Sequence, residues 1–242
     1  MTSVDSDAIR DESSAVRARS RERTRVAQST AAGIAHELRN PAFAIASAAQ
    51  LLRYRISDDP VIEKNIGRIL REAERLNAFV TALLEYGRPS PVRLIPADPD
   101  DVWVDVLAAH RGTLESKALL VEHAAAQPRA TCNIDPEQLA TAFGNALVNA
   151  AEAAPEGTDL SIISRVDESG WHSSLRNGGP TVPADTLERA FEPLVTTKTG
   201  RTGIGLAVVE RVVAEHGGHV ALTSEEGLGT TLTFSLPVVR GS

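Results

Sequence analysis

The stretch Gly33-Ile34-Ala35-His36-Glu37-Leu38-Arg39-Asn40-Pro41 is the first place where this sequence could do chemistry. A neutral imidazole is a competent nucleophile, and near its usual pKa it is largely unprotonated at neutral pH. Glu37 beside His36 can accept the departing ring proton or orient the ring. Asn40, one turn later, can hold a water or a phosphoryl oxygen near His36. In a helix His36 lies about 200° around from apolar Ile34, so it faces water. Pro41 removes a backbone donor and should bend the helix, exposing the site. Taken alone, an ordinary surface histidine is the competing reading.

A second set begins at Asp135-Pro136-Glu137-Gln138, which joins a cap, a first-position proline and a capping-box partner. In the helix that follows, Asn145 and Asn149 are one turn apart, so their amides share a face amid alanines and leucines. An asparagine carbonyl is a hard-oxygen ligand suited to Mg²⁺, which keeps waters and substrate phosphates as its other ligands. Third comes Leu175-Arg176-Asn177-Gly178-Gly179-Pro180-Thr181-Val182-Pro183, whose glycines let backbone approach a flat ligand closely. A hairpin turn reads the same way. Fourth is Phe191-Glu192-Pro193-Leu194-Val195-Thr196-Thr197-Lys198, followed by Gly200-Arg201-Thr202-Gly203-Ile204-Gly205-Leu206-Ala207. Its glycines free N–H groups for phosphate oxygens, the next helix offers a positive N-terminus, and Lys198 adds a point charge. His216 and His219, at the glycine-rich end of that helix, read as structural or solvent-facing, because no third metal ligand accompanies them.

These residues need two kinds of scaffold. Ile34, Leu38, Ile45, Ala48 and Leu52 mark one face of a first helix, interrupted by Pro41. Ser57-Asp58-Asp59-Pro60 reads as a turn in which Asp59 caps a second helix and Pro60 takes its first position. Ile62, Ile66, Ile69, Ala73, Leu76, Val80 and Leu83 then form a heptad seam that ends at Gly87 and Pro89. Two helices with one apolar stripe each cannot bury both stripes adequately alone, so the pattern predicts a homodimer closed as a four-helix bundle. After Arg88-Pro89-Ser90-Pro91 the pattern is mixed α/β. Strands are expected near 92–95, 119–124, 130–134, 159–166, 170–176, 218–224 and 230–236. Helices are expected near 100–115, 136–153, 184–191 and 203–216. The division is therefore a polar N-terminal segment 1–25, a hairpin 26–88, a linker 89–91 and a second domain 92–239. Arg17, Arg19, Arg21, Arg23 and Arg25 alternate in the polar segment and read as a solvated helix start.

Composition narrows the class. The chain has 242 residues, 42% hydrophobic, 24% charged and 4% aromatic, so the core should rest mainly on Leu, Val, Ile and Ala. A net charge of -7 argues against a nucleic-acid partner. No run approaches the ~18 consecutive apolar residues of a membrane span, and the N-terminus has no apolar signal region. The single cysteine, Cys132, cannot form an internal disulfide, which fits a reducing compartment. The expectation is a cytoplasmic protein.

His-Glu-Leu-Arg-Asn-Pro with Ile45 and Leu51-Leu52 resembles the phosphoacceptor box of two-component sensor histidine kinases. The segment around Asn145 and Asn149 resembles the asparagine box of their ATP-binding domain, and the two glycine-rich stretches resemble its adenine loop and ATP lid. The resemblance spans about residues 26–238. It implies a helical hairpin forming a dimeric four-helix bundle, followed by an α/β-sandwich ATP-binding domain. It implies catalysis by His36 with Glu37 and Asn40. ATP would be held by Asn145, Asn149, Asn177, Gly179, Thr196, Thr197, Lys198, Gly203, Gly205 and Leu206, with Mg²⁺ on Asn149. The partner implied is the receiver domain of a response regulator, which takes the phosphate on an aspartate and which the kinase can also dephosphorylate. Input would come from a separate sensor protein or from a sensor that has been lost. Related hydrolases of the wider fold carry a glutamate where Asn145 stands, which favours a kinase over an ATPase or a serine/threonine kinase. Asn177 stands where the family usually has an aspartate, and Thr181 and Arg201 replace frequent glycines. These departures motivate the alternative of a nucleotide-binding scaffold with weak or no kinase activity.

Overall fold

The computed structural model describes residues 38–39, 42–54, 59–87, 91–196 and 202–239. Two compact units divide near Pro89 and Ser90.

The first unit contains helix α1 over residues 42–54 and helix α2, Pro60–Gly87. Asp59 caps α2 as expected: its Oδ1 accepts from the N–H groups of Val61 at 2.8 Å and Ile62 at 3.3 Å. Along α2 the buried positions are Ile66, Ala73, Val80 and Leu83, with Ile62 and Leu76 half-buried, so most of the heptad seam is covered. Ile69 is 41% exposed. On α1 the burial differs from the expected stripe. Ala42 and Ala49 are buried, whereas Ile45 and Leu52 remain 49% and 48% exposed. Among the described residues of that stripe, Leu38 is half-buried and Ala48 is exposed as well.

The second unit is a two-layer sandwich. Its main sheet has the order β2-β4-β5-β7-β6, formed by Leu120–Ala124, Asp159–Asp167, Gly170–Asn177, Gly229–Leu236 and His219–Glu225. Only the β2/β4 pair is parallel; the others are antiparallel. β1, Ile95–Ala97, and β3, Cys132–Ile134, pair antiparallel beside it. Burial alternates along the central strands as a half-covered sheet requires. Leu160 and Ile162, Trp171 and Leu175, and Leu232, Phe234 and Leu236 point inward. The alternate positions are mostly polar or charged, with Ile163 an exposed exception.

Helices α3 (Pro99–Ala109), α5 (Pro136–Ala153) and α7 (Gly205–Glu215) supply the other layer, with short α4 (Arg111–Ser116) and α6 (Ala184–Glu188) between them. Most of the core is aliphatic, but its centre is aromatic. Trp103 of α3 stacks on Phe143 of α5 at 4.0 Å, and Phe234 of β7 packs edge-on to Phe143 at 5.1 Å. Trp171 stands 6.2 Å from Phe143 and donates its Nε1–H to the buried carboxylate of Asp100 at 3.0 Å. That same oxygen, Oδ2, accepts from the Ala126 N–H at 3.1 Å, so one carboxylate ties α3, β5 and the loop after β2.

Two expected elements shift for local reasons. The helix expected at 100–115 breaks at His110, whose N–H and ring Nδ1 both bond back to the Val106 carbonyl. The first strand starts at Ile95 rather than near 92, because the Arg93 N–H bonds to the Asp135 carboxylate instead of a ladder.

Candidate functional site: one face of α5 and the start of α7

Helix α5 is fixed at both ends. At its start, Asp135 Oδ1 accepts from the Gln138 N–H at 3.2 Å and Pro136 takes the first turn. Burial pushes the Asp135 carboxyl pKa up, but N–H donors from Arg93, Gln138 and Glu137 outweigh it and hold the group below its ordinary value. At its end, no basic residue of α5 itself meets the last carbonyls. Lys117 does so from the loop before β2, with Nζ 2.7 Å from the Ala151 oxygen and 3.0 Å from that of Ala154. Sequence reasoning did not single out Lys117, because its partners lie more than thirty residues away.

Leu139, Ala142, Phe143, Ala146, Leu147 and Ala150 bury one side of α5 and leave Asn145 and Asn149 half-buried one turn apart. Asn145 donates its Nδ2–H to the Thr141 carbonyl at 2.9 Å. A carbonyl can only accept, so this bond fixes the amide orientation and directs Oδ1 toward α7. A Cβ added at Gly205 would stand 3.2 Å from that oxygen. Gly205 opens α7, and the side chain of its N-cap residue, apolar Ile204, cannot cap that helix N-terminus. Its first N–H groups therefore keep the charge and direction that suit an anion. Leu206 is half-buried beside Gly205, and Ile204 is fully buried.

The chain reaches α7 through a narrow neck. Gly203 adopts φ +66°, and its carbonyl accepts from the Leu194 N–H at 3.0 Å. A Cβ there would lie 2.7 Å from Val195 oxygen, so glycine is required on both counts. Thr196 is exposed on the near side of the neck. At the opposite end of α5, Asn177 closes β5 and is 4% exposed. Its Oδ1 accepts from the Gly179 N–H at 2.8 Å. A Cβ on Gly179 would meet the Ala153 carbonyl oxygen at 2.5 Å, so the loop lies directly on the last turn of α5.

The structure thus gathers Asn145, Gly205 and Leu206 at one end of an α5 face, with Asn149 one turn on and Asn177 and Gly179 at the other. His36, Glu37, Asn40, Thr197, Lys198 and Arg201 lie outside the described residues. No group of three or more His, Cys, Asp or Glu that could hold a metal exists among the described residues. Mg²⁺ does not need one, since it keeps several waters and takes one or two protein oxygens beside substrate phosphates. The asparagine carbonyls of α5 fit that donor set. Cys132 is no reactive thiol: burial first, then Asp98 and Asp100, push its pKa up to about 12. His216 is buried and His219 exposed, in line with a structural role rather than a metal site.

Two family models match the chain. Residues 27–91 match the His Kinase A phospho-acceptor domain, and residues 134–240 match the histidine kinase-, DNA gyrase B- and HSP90-like ATPase. The chain belongs to the two-component sensor histidine kinases. The kinase is 32% identical over 208 residues to sensor histidine kinase ZraS of Escherichia coli, covering 86% of this chain and 45% of that protein. It is 32% identical over 212 residues to sporulation kinase E of Bacillus subtilis, covering 86% of this chain and 28% of that one. The kinase thus spans less than half the length of these relatives. Among solved structures it resembles histidine kinase ThkA in complex with response regulator TrrA, with a TM-score of 0.69, 24% identity and coverage of 90% and 64%. It also resembles full-length ShkA in complex with AMPPNP, with a TM-score of 0.66, 23% identity and coverage of 88% and 46%. At these identities the likeness concerns fold. No helix among the described residues is long and apolar enough to cross a membrane.

Proposed function

We propose that this kinase binds Mg²⁺-ATP on α5 and α7, phosphorylates its own His36 and passes the phosphoryl group to an aspartate of a response-regulator receiver domain. The observation that carries the nucleotide part is the uncapped start of α7 placed against Asn145. Asn149 lies one turn further along and Asn177 lies over the end of α5. The His36 part rests on the phospho-acceptor match over 27–91. Both substrates place the reaction in the cytoplasm.

In this reading the α7 N–H groups, with Thr196, Thr197, Lys198 and Gly203, hold the phosphates, and the Asn149 carbonyl joins the metal's ligands. Bound Mg²⁺ neutralises phosphate charge. A His36 ring nitrogen forms a bond to the γ-phosphorus as the bond to the ADP oxygen breaks, and Glu37 takes the ring proton. Asn145 holds an amide where a water-activating hydrolase needs a carboxylate, so ATP is spared until the histidine arrives. Glu37 and Asn40 also support hydrolysis of the regulator's phosphate. The exposed apolar side chains of α1, with Ile69 of α2, support a homodimer. The ThkA–TrrA and ShkA–AMPPNP complexes support the regulator and nucleotide classes.

The test is incubation with γ-labelled ATP and Mg²⁺ beside a His36→Gln variant. Acid-labile, base-stable label on the parent protein alone is expected; label on serine, or label on both proteins, would overturn the proposal. One observation favours a second reading, a scaffold with weak nucleotide affinity. Asn177 has no charge, and its oxygen is already engaged by Gly179. On that reading Asn177→Asp tightens ATP binding several-fold by charge assistance, measured by titration calorimetry.

A further inference from the structure

The imidazole of His216 lies between the two helices that form the cradle, outside every group assigned above. It is 3% exposed. Its Nδ1 is 2.7 Å from the Val212 carbonyl oxygen, and its Nε2 is 2.9 Å from the backbone nitrogen of Asp135. Both partners have fixed roles, because a carbonyl only accepts and a backbone N–H only donates. Nδ1 therefore carries the hydrogen, Nε2 offers its lone pair, and the ring is neutral.

This bond pins the end of α7 to the residue that starts α5. The other contact between these helices on the site is Gly205 against Asn145. Asp135 to Asn145 spans about 15 Å of helix and Gly205 to His216 about 16 Å, so the two contacts close an antiparallel rectangle of matching sides. Sliding α7 by one residue, about 1.5 Å, would break one contact or the other.

We propose that His216 is a positioning residue: by holding α7 in axial register on α5, it sets the uncapped α7 N-terminus against Asn145 and so prepares the phosphate end of the nucleotide site. The inference rests on the nucleotide-binding reading above. The charged groups around His216 are the Asp135 carboxylate at the α5 start and Glu215 on α7, whose carboxyl burial pushes up. Arg211 stands 3.9 Å from Glu215, and His219 begins β6. β7 brings no titratable side chain, and near β1 Arg93 contributes its backbone N–H to Asp135.

The test compares the parent chain with His216→Ala and His216→Gln, since glutamine offers a donor and an acceptor without titrating. Nucleotide Kd is measured with a fluorescent ATP analogue well below each variant's melting temperature. His216→Ala is expected to weaken binding roughly tenfold, and His216→Gln to restore most of it. Amide exchange without nucleotide supplies a separate readout, and His216→Ala should speed exchange at Val208 and Val209, the first N–H groups of α7 that the helix itself protects. Equal affinities with unchanged exchange at Val208 and Val209 would overturn the inference, as would a glutamine variant that behaves like alanine. A parent chain that binds no nucleotide would remove the reading beneath it, and the exchange experiment tells the two failures apart.

Discussion

The two units of this chain bury their apolar residues to different degrees. In the sandwich, Trp103, Phe143, Trp171 and Phe234 are fully covered by their own chain. In the hairpin, Phe43, Ile45, Leu51, Leu52 and Ile69 remain between 41% and 70% exposed. One core is complete within the chain; the other leaves apolar side chains bare, the half-interface that the homodimer proposal requires. The sandwich can hold its geometry through intrachain contacts such as the Asp100 and Lys117 anchors. On the homodimer proposal a second copy covers the hairpin, which would couple its stability to concentration.

That contrast breaks most visibly at the centre of the sandwich. Phe143→Ala removes the ring on which Trp103 stacks and should cost about 3–5 kcal/mol of sandwich stability in denaturant unfolding. A loss under about 1 kcal/mol would mean that the aromatic centre is not the core it resembles. On the hairpin side, Leu52→Glu with Ile69→Glu should shift a dimer toward monomer by about 2 kcal/mol or more in sedimentation analysis. Sandwich unfolding should move by less than about 0.5 kcal/mol. If the double variant stays dimeric, the exposed stripe is not the interface.

A finer probe is Asp135→Ala, which removes the α5 cap and should destabilise the sandwich by about 1 kcal/mol at neutral pH. Because the native carboxyl pKa is depressed, its stabilisation is complete above the unfolded value of about 3.9 and vanishes as pH falls through the lower native one. Acid titration should therefore narrow the gap between the parent and the variant below the unfolded carboxyl value and close it once the native carboxyl is protonated. The smallest effect concerns Ala118, held at φ 51° beside Lys117. Ala118→Gly relieves left-handed strain at the expense of chain entropy, so a change within about 0.5 kcal/mol is expected by thermal melting.

Much of the site was legible because it is written locally. Asp135, Pro136 and Gln138 announce a helix start; the four-residue step from Asn145 to Asn149 puts both on one face; Gly203 and Gly205 mark a turn and a helix beginning. Asp59 and Pro60 announced α2 by the same local chemistry. What stayed illegible joins residues far apart in sequence. Lys117 closing α5, Asp100 receiving the Trp171 indole, and His216 receiving the Asp135 N–H span from 34 to 81 positions. Nothing beside Asp100 or His216 in the chain distinguishes them from surface residues.

By itself the sequence determined the helix starts, the strand alternation, the order of the motifs and hence the family, because caps, periodicity and glycine turns act over a few residues. Only the tertiary structure decided which apolar stripe stays bare on α1, which aromatics form the core, and that Gly205 meets Asn145 while His216 meets Asp135. Those outcomes depend on how sheet and helices pack, and packing is settled by shape and by buried donors and acceptors finding one another across the fold.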